Sequence, residues 1–247
     1  FAQFDNVWIF GTNGGISFNG ANPVAVSSSI NSNEAAAAVC DANGSLLFYT
    51  DGSTVWDRFN NPMPNGTNLQ PLTGGTSSTS QGAQIIPVPD SAGKYYIFSL
   101  TGDPNVLGYT NVGRLYYSIV DMTANGGSGD VVSGRKAILM ATGLCEQMIA
   151  IAGPECDFWL LVNSQRDSIR AYNINRNGIN APVLSPILNG LSNYYNGLLG
   201  NIDVSDDGSR LAIARGTLSV YDFDKNTGLC TNMQQLSNVA GTAFYDV

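Results

Sequence analysis

The stretch Asp41-Ala-Asn-Gly-Ser-Leu-Leu-Phe-Tyr-Thr-Asp-Gly-Ser-Thr-Val-Trp56 reads as turn, strand, turn, strand. Asn43-Gly44 has the chemistry of a type I′ hairpin turn, in which both central residues take φ > 0. Leu46–Thr50 is a short apolar, aromatic and β-branched run, Asp51-Gly52 turns the chain again, and Thr54–Trp56 starts the way back. The same order of signals returns, with turns between a first and a second strand near residues 43, 92, 155 and 207. Steps of roughly fifty residues with four short strands each predict an all-β fold, a β-propeller of four-stranded antiparallel blades. Such blades stack face to face, with Trp8, Tyr96, Trp159 and Tyr221 filling the gaps, while inner strands crowd an axis. That crowding accounts for Ile149–Ala152 and for the alanine run Ala35–Ala38, read as strand despite its helical propensity. No linker or composition break divides residues 1–247, which read as a single module.

The bulk composition sets the class of surface. Charged residues make up 12% of the 247, about half the usual share, so Asn, Ser, Thr and Gly must carry the polar surface. This suits many short strands joined by polar turns, and an extracellular setting. Nineteen acidic against eleven basic residues give a net charge of −8, which argues against nucleic acid or an anionic membrane as partner. No apolar run approaches the roughly 20 residues that span a bilayer. The absence of histidine removes Ser-His-Asp and Cys-His catalysis and His-ligated zinc together. Ala2-Gln3 is like the step left at a signal-peptidase cut, which fits export with a cleaved signal peptide.

Several segments then become recognisable together: Asn33-Glu34, Leu46–Gly52, Val55-Trp56, Met63–Gly66, Tyr95–Phe98, Tyr117–Met122 and Asn125–Asp130. In this order they resemble the N-terminal propeller modules of large secreted Bacteroidota surface proteins, which often carry PKD-like domains and a type IX secretion sorting domain. The resemblance covers nearly the whole chain. It implies a binding, adhesion or structural module of an exported protein, with no catalytic role and no cofactor, and a protein or glycan partner or self-association. This chain departs from the pattern in lacking the histidines relatives often have near the third blade, and in lacking a sorting domain. Two readings of its ends follow. In one, residues 1–247 are the N-terminal part of a propeller of roughly seven blades, truncated after Val247. In the other, Thr242–Val247 completes the first blade and closes a five-bladed ring, which removes open blade edges.

Candidate chemistry is sparse. Glu34, Gln81, Glu146 and Asn201 each start an inner strand in the propeller reading, which aims them at one channel mouth as binding residues. The same residues would equally cap strand ends and bind channel water. The runner-up function is a carbohydrate-active enzyme using Glu34 or Glu146, which needs paired carboxylates roughly 5–9.5 Å apart. Asp222–Gly228 looks like a calcium loop, but its glycine is one place late and Met233 replaces the closing glutamate, so a hairpin is the better reading and no metal is expected. Asp41, Asp51, Asp90 and Asp206 are turn residues by default. Cys40, Cys145, Cys156 and Cys230 lack Cys-x-x-Cys spacing and read as unpaired, mostly buried thiols. Asp90-Ser91-Ala92 and Asp167-Ser168-Ile169 fit an Asp-Ser/Thr-apolar O-glycosylation pattern, which makes Ser91 and Ser168 candidate acceptors.

Overall fold

The computed structural model describes residues 5–71, 79–102, 113–165, 167–187, 200–215 and 217–237, and the chain divides into two compact units. The first comprises Phe1–Pro87, Ala92–Thr101 and Leu115–Met140, and the second Val88–Ser91, Gly102–Arg114 and Ala141–Val247. The described residues are all-β apart from two single 3₁₀ turns.

Strands β1 (Val7–Phe10), β2 (Thr12–Ser17) and β3 (Val24–Asn31) form one sheet, and β4 (Ala37–Cys40), β5 (Leu46–Thr50) and β6 (Val55–Asp57) another. A third sheet holds β7 (Ala83–Pro87), β8 (Lys94–Leu100), β9 (Gly113–Asp121), β10 (Asp130–Val131) and β11 (Ile138–Ala152). It continues through β12 (Phe158–Ser164), β13 (Ser168–Asn175), β14 (Gly178–Ile179) and β15 (Val183–Pro186). The last sheet is β16 (Ile202–Val204), β17 (Arg210–Arg215), β18 (Thr217–Asp224) and β19 (Leu229–Ser237).

These sheets overturn the propeller expectation. Among the described residues they contain 3, 3, 9 and 4 strands, with no closed ring and no propeller arrangement of four-stranded blades. The nine-stranded sheet runs β14-β13-β12-β11-β9-β8-β7, with β10 on β9 and β15 on β13. The physical reason lies in β11. The propeller reading starts the inner strand with the Ile149–Ala152 run at Glu146, but the strand starts at Ile138 and is 15 residues long. A strand of that reach, roughly 50 Å, serves more than one hairpin, so the four-strand period is lost. Trp8, assigned to a gap between blades, is exposed, whereas Tyr96, Trp159 and Tyr221 are buried. The segment Thr242–Val247 lies outside the described residues.

Residues Asp41–Trp56 remain central to the first unit. Phe48 and Tyr49 are neighbours on β5, so their side chains leave opposite faces of the sheet, and both are fully buried. Phe48 packs with Val39, Val55, Leu69, Ile97 and Val120. Tyr49 packs with Val7, Ile9, Ile30 and Cys40. Its ring stacks on Trp56 at 5.4 Å, and its hydroxyl accepts from the Ser29 N–H (2.7 Å) and donates to Asn60 Oδ1 (2.8 Å). Burying the ring is favourable because the polar tip is satisfied on both counts.

The turn before β5 differs from the type I′ expectation. Gly44 has φ 81°, but Asn43 is not left-handed, and Asp41 N–H donates to Ser45 O across a three-residue loop. The cause is Asp41 itself: its Oδ1 accepts the N–H groups of Asn43 and Ser45, both at 2.9 Å. That favours a right-handed turn followed by a left-handed glycine.

In the second unit Trp159 is the anchor. Its ring meets Phe223 edge-on at 6.2 Å, its indole N–H donates to Lys225 O (2.7 Å), and Leu161, Ile169, Leu211, Ile213 and Tyr221 fill the space around them. Gly228, at φ 75°, lies against the indole so closely that a Cβ would overlap it. Gly228→Ala therefore combines left-handed strain with a clash, and lowers stability by about 2 kcal/mol or more. A thermal melt of the purified variant reads this directly.

The β16–β17 turn supplies a pH-dependent marker. Asp207 accepts from the Ser205 hydroxyl and from the Ser209 N–H and hydroxyl, and these bonds hold its carboxyl down at about 2. A depressed carboxylate favours the closed turn above the usual carboxylate range, and the contribution is lost as pH falls through about 2. Carboxyl-carbon NMR should show Asp207 titrating below the usual aspartate range.

Candidate functional site

The residues singled out in the sequence separate between the units. Glu34 is exposed in the bend between β3 and β4, and Gln81 is half-buried in the turn before β7, both in the first unit. Glu146 on β11 and Asn201 before β16 belong to the second unit. Ser91 is half-buried in a turn. Ser168 is buried, with its hydroxyl donating to Asp167 Oδ1 (2.9 Å), which leaves Ser91 the more accessible of the two acceptors.

Gln147, the residue after Glu146, is linked to Asn201 through Ala214 in a buried polar cluster that the strand geometry builds. Leu144 pairs with Ser164 and Met148 with Val162, so Cys145, Glu146 and Gln147 stand opposite Asn163 alone. This bulge re-aims side chains that a regular strand would alternate. Gln147 Nε2 donates to Ala214 O (2.7 Å), and Gln147 Oε1 accepts from Asn163 Nδ2. The Ala214 N–H donates in turn to Asn201 O (2.9 Å). Gly200, at φ 127°, leaves the space: a Cβ there would collide with the Ala214 carbonyl. Arg215, 5% exposed, donates to Gln165 O (2.7 Å), and Glu146, 7% exposed, brings the opposite charge to the same neighbourhood. Burial pushes the Cys145 thiol up to about 11, with Arg215 opposing and Glu146 reinforcing the shift.

Gln147, Asn163 and Arg215 were not singled out in the sequence. The available signal was Cys145-Glu146-Gln147 interrupting an apolar strand, but only the register shows that the interruption is a bulge facing Asn163.

An open polar cleft of about 440 Å³ lies elsewhere in the second unit, lined by Pro89, Asp90, Glu155, Cys156, Asp157 and Asn175 with Arg176 and Asn177. The β11–β12 and β13–β14 turns form it together with the turn after β7. Asp157 is held in place, with Oδ1 accepting the Glu155 N–H (3.0 Å) and Oδ2 accepting Asn173 Nδ2 (2.6 Å). Among the described residues no cluster of three or more Asp, Glu or Cys side chains could hold a metal ion. In the Asp222–Gly228 hairpin, Asp224 uses its carboxylate on the Asn226 N–H and the Thr227 hydroxyl.

The first unit presents a different surface. On β1 the side chains alternate, with Val7 and Ile9 inward and Trp8 and Phe10 outward. Trp8 is 55%, Phe10 45% and Phe18 38% exposed, and the Trp8 and Phe18 rings meet edge-on at 5.0 Å. Ile16, opposite Trp8, extends the same face. At its margin Asn6 Nδ2 donates to Asn19 Oδ1 (2.8 Å), and Asn19 Nδ2 donates to Gly44 O (2.8 Å). No helix of the described residues is long and apolar enough to cross a membrane.

No family model matches the chain, and no curated protein matches it. A solved structure of a functionally unknown protein from Desulfotomaculum acetoxidans DSM 771 is similar at 15% identity and a TM-score of 0.44, over 95% of this chain and 69% of that one.

The thiols provide a test of this geometry. Cys40, Cys145 and Cys230 are buried and Cys156 is exposed, all four unpaired. Burial also pushes Cys230 up to about 12, so neither depth nor ionisation favours reaction at the buried sites. Alkylation of the native protein should modify Cys156 alone, and all four thiols after denaturation, as read by mass spectrometry.

Proposed function

We infer that this chain is a binding and assembly module of an exported cell-surface protein and acts without catalysis. The observation that carries the reading is the outward row of Trp8, Phe10 and Phe18 on the β1–β2–β3 sheet. Contiguous exposed apolar surface marks interaction sites, whereas single exposed apolar residues do not. Large aromatic side chains, moreover, supply much of the binding energy where proteins meet. The low charge content and the resemblance to modules of secreted Bacteroidota proteins support export, followed by type IX secretion.

A second reading, a carbohydrate-active enzyme, draws on one observation: Glu146 is a buried carboxylate on β11 that, with Arg215, acts on the Cys145 thiol. Acid–base hydrolysis asks for a second carboxylate in reach, and Glu34 belongs to the other unit.

The partner chemistry that fits the aromatic row is another apolar sheet face, and a second copy of this chain is the direct probe. Sedimentation velocity across a concentration series should show reversible association. The double variant Trp8→Ser/Phe10→Ser should weaken it about tenfold or more without changing the melting temperature. A monomer at every concentration would overturn the assembly reading. Turnover on a glycan panel that disappears in Glu146→Gln would overturn the non-catalytic one.

A further inference from the structure

The geometry points to a saccharide-binding site in the polar cleft of the second unit, separate from the aromatic face of the first. Its volume of about 440 Å³ falls within the range of small-ligand sites, roughly 300–1,000 Å³. What distinguishes it from a chance gap between turns is the division of labour among its polar groups.

One set is committed to holding the wall. Asn173 is the hub: its Nδ2 donates to Asp157, and its Oδ1 accepts from Asn175 Nδ2 (2.8 Å) and Asn180 Nδ2 (3.2 Å). Asn175 Oδ1 accepts the Asn177 N–H (2.8 Å), which fixes the adjoining turn. Asp157 is seated against Gly153, where any Cβ would overlap the carboxylate. The wall is thus preorganised, and a ligand need not order it. The other set faces open space. The side chains of Asp90, Glu155, Arg176 and Asn177 make no hydrogen bond among the described residues.

The chemistry of this second set selects the ligand class. Asp90 and Glu155 offer acceptors only, Arg176 donors only, and Asn177 both. A simple anion would face three carboxylates including Asp157, against one guanidinium. A metal ion would need a converging carboxylate cluster, and none occurs among the described residues. Hydroxyl groups donate and accept at once, so vicinal hydroxyls of a sugar ring can bridge a carboxylate and a neighbouring guanidinium or amide. Pro89 and Cys156 give the ring's C–H surface an apolar edge.

Cys156 serves as the reporter, because it is the exposed thiol of the four. The rate of its alkylation is measured on the intact chain against a panel of neutral, acidic and amino oligosaccharides. Saturable protection by a saccharide at millimolar concentration supports the site, provided Glu155→Gln and Arg176→Ala each weaken it by about tenfold with the melting temperature unchanged. Three results overturn the proposal: no protection by any saccharide, protection that both variants retain, and protection given by calcium or a polyamine but by no sugar. Trp8→Ser/Phe10→Ser should leave the protection intact, so failure here and failure of the assembly reading are separately visible.

Discussion

The hydrogen-bonding demand of tight turns governs much of this structure. A chain of short antiparallel strands reverses often, and each reversal leaves backbone N–H groups that neither strand can pair. Aspartate answers that demand repeatedly. Asp41 accepts two turn N–H groups, as do Asp51 from Ser53 and Thr54, and Asp57 from Phe59 and Asn61. Asp121, Asp207 and Asp224 each accept one such N–H together with a nearby hydroxyl. Much of the acidic surplus therefore has a structural role. Where the carboxylate is exposed, as in Asp207, these bonds lower its affinity for protons. Where it is buried, as in Asp51, desolvation outweighs the same two N–H bonds and the carboxyl is pushed up instead. One motif thus yields opposite pKa shifts, and burial decides the sign.

Local signals of this kind are why individual strands were readable. Leu46–Thr50 is a strand with the bounds its pattern gives, and the alanine run does enter a strand at Ala37. What failed was the grouping of strands into sheets. Grouping depends on where a strand ends, and Ile138–Ala152 contains a glycine and a bulge that look like interruptions from the sequence yet leave the strand continuous. The turn at Asn43-Gly44 failed on a smaller scale, because two residues were weighed without the carboxylate upstream that captures their neighbours. Asp206 does lie in the β16–β17 turn, where its neighbour Asp207 supplies the carboxylate that closes it.

The candidate sites divide along the same line. Glu146 and Asn201 could be named because charged and amide residues near apolar runs stand out. Their setting could not be, since Ala214, Asn163 and Gln147 come from strands that only the fold brings together. The cleft was less legible still. It is assembled from three turns, and the sequence signature of a turn says that the chain reverses, not which other reversal lies beside it.

The two surfaces also differ in what removing them would cost the fold. Trp8 and Phe10 alternate with Val7 and Ile9 on a single strand, so the inward pair can hold the sheet while the outward pair is free to contact a partner. In the cleft the division runs between residues rather than faces. Asn173 and Asp157 maintain the turns, and Glu155, Arg176 and Asn177 project from them. The cleft includes two non-glycine residues with left-handed backbone, Asp90 at φ 57° and Cys156 at φ 55°. For aspartate this conformation is readily reached, but for cysteine it costs about 1 kcal/mol or more. The Asn173–Asp157 network and the Trp159 core behind the turn offset that strain, so the side chains at the rim are set by the supporting structure rather than by their own preferences.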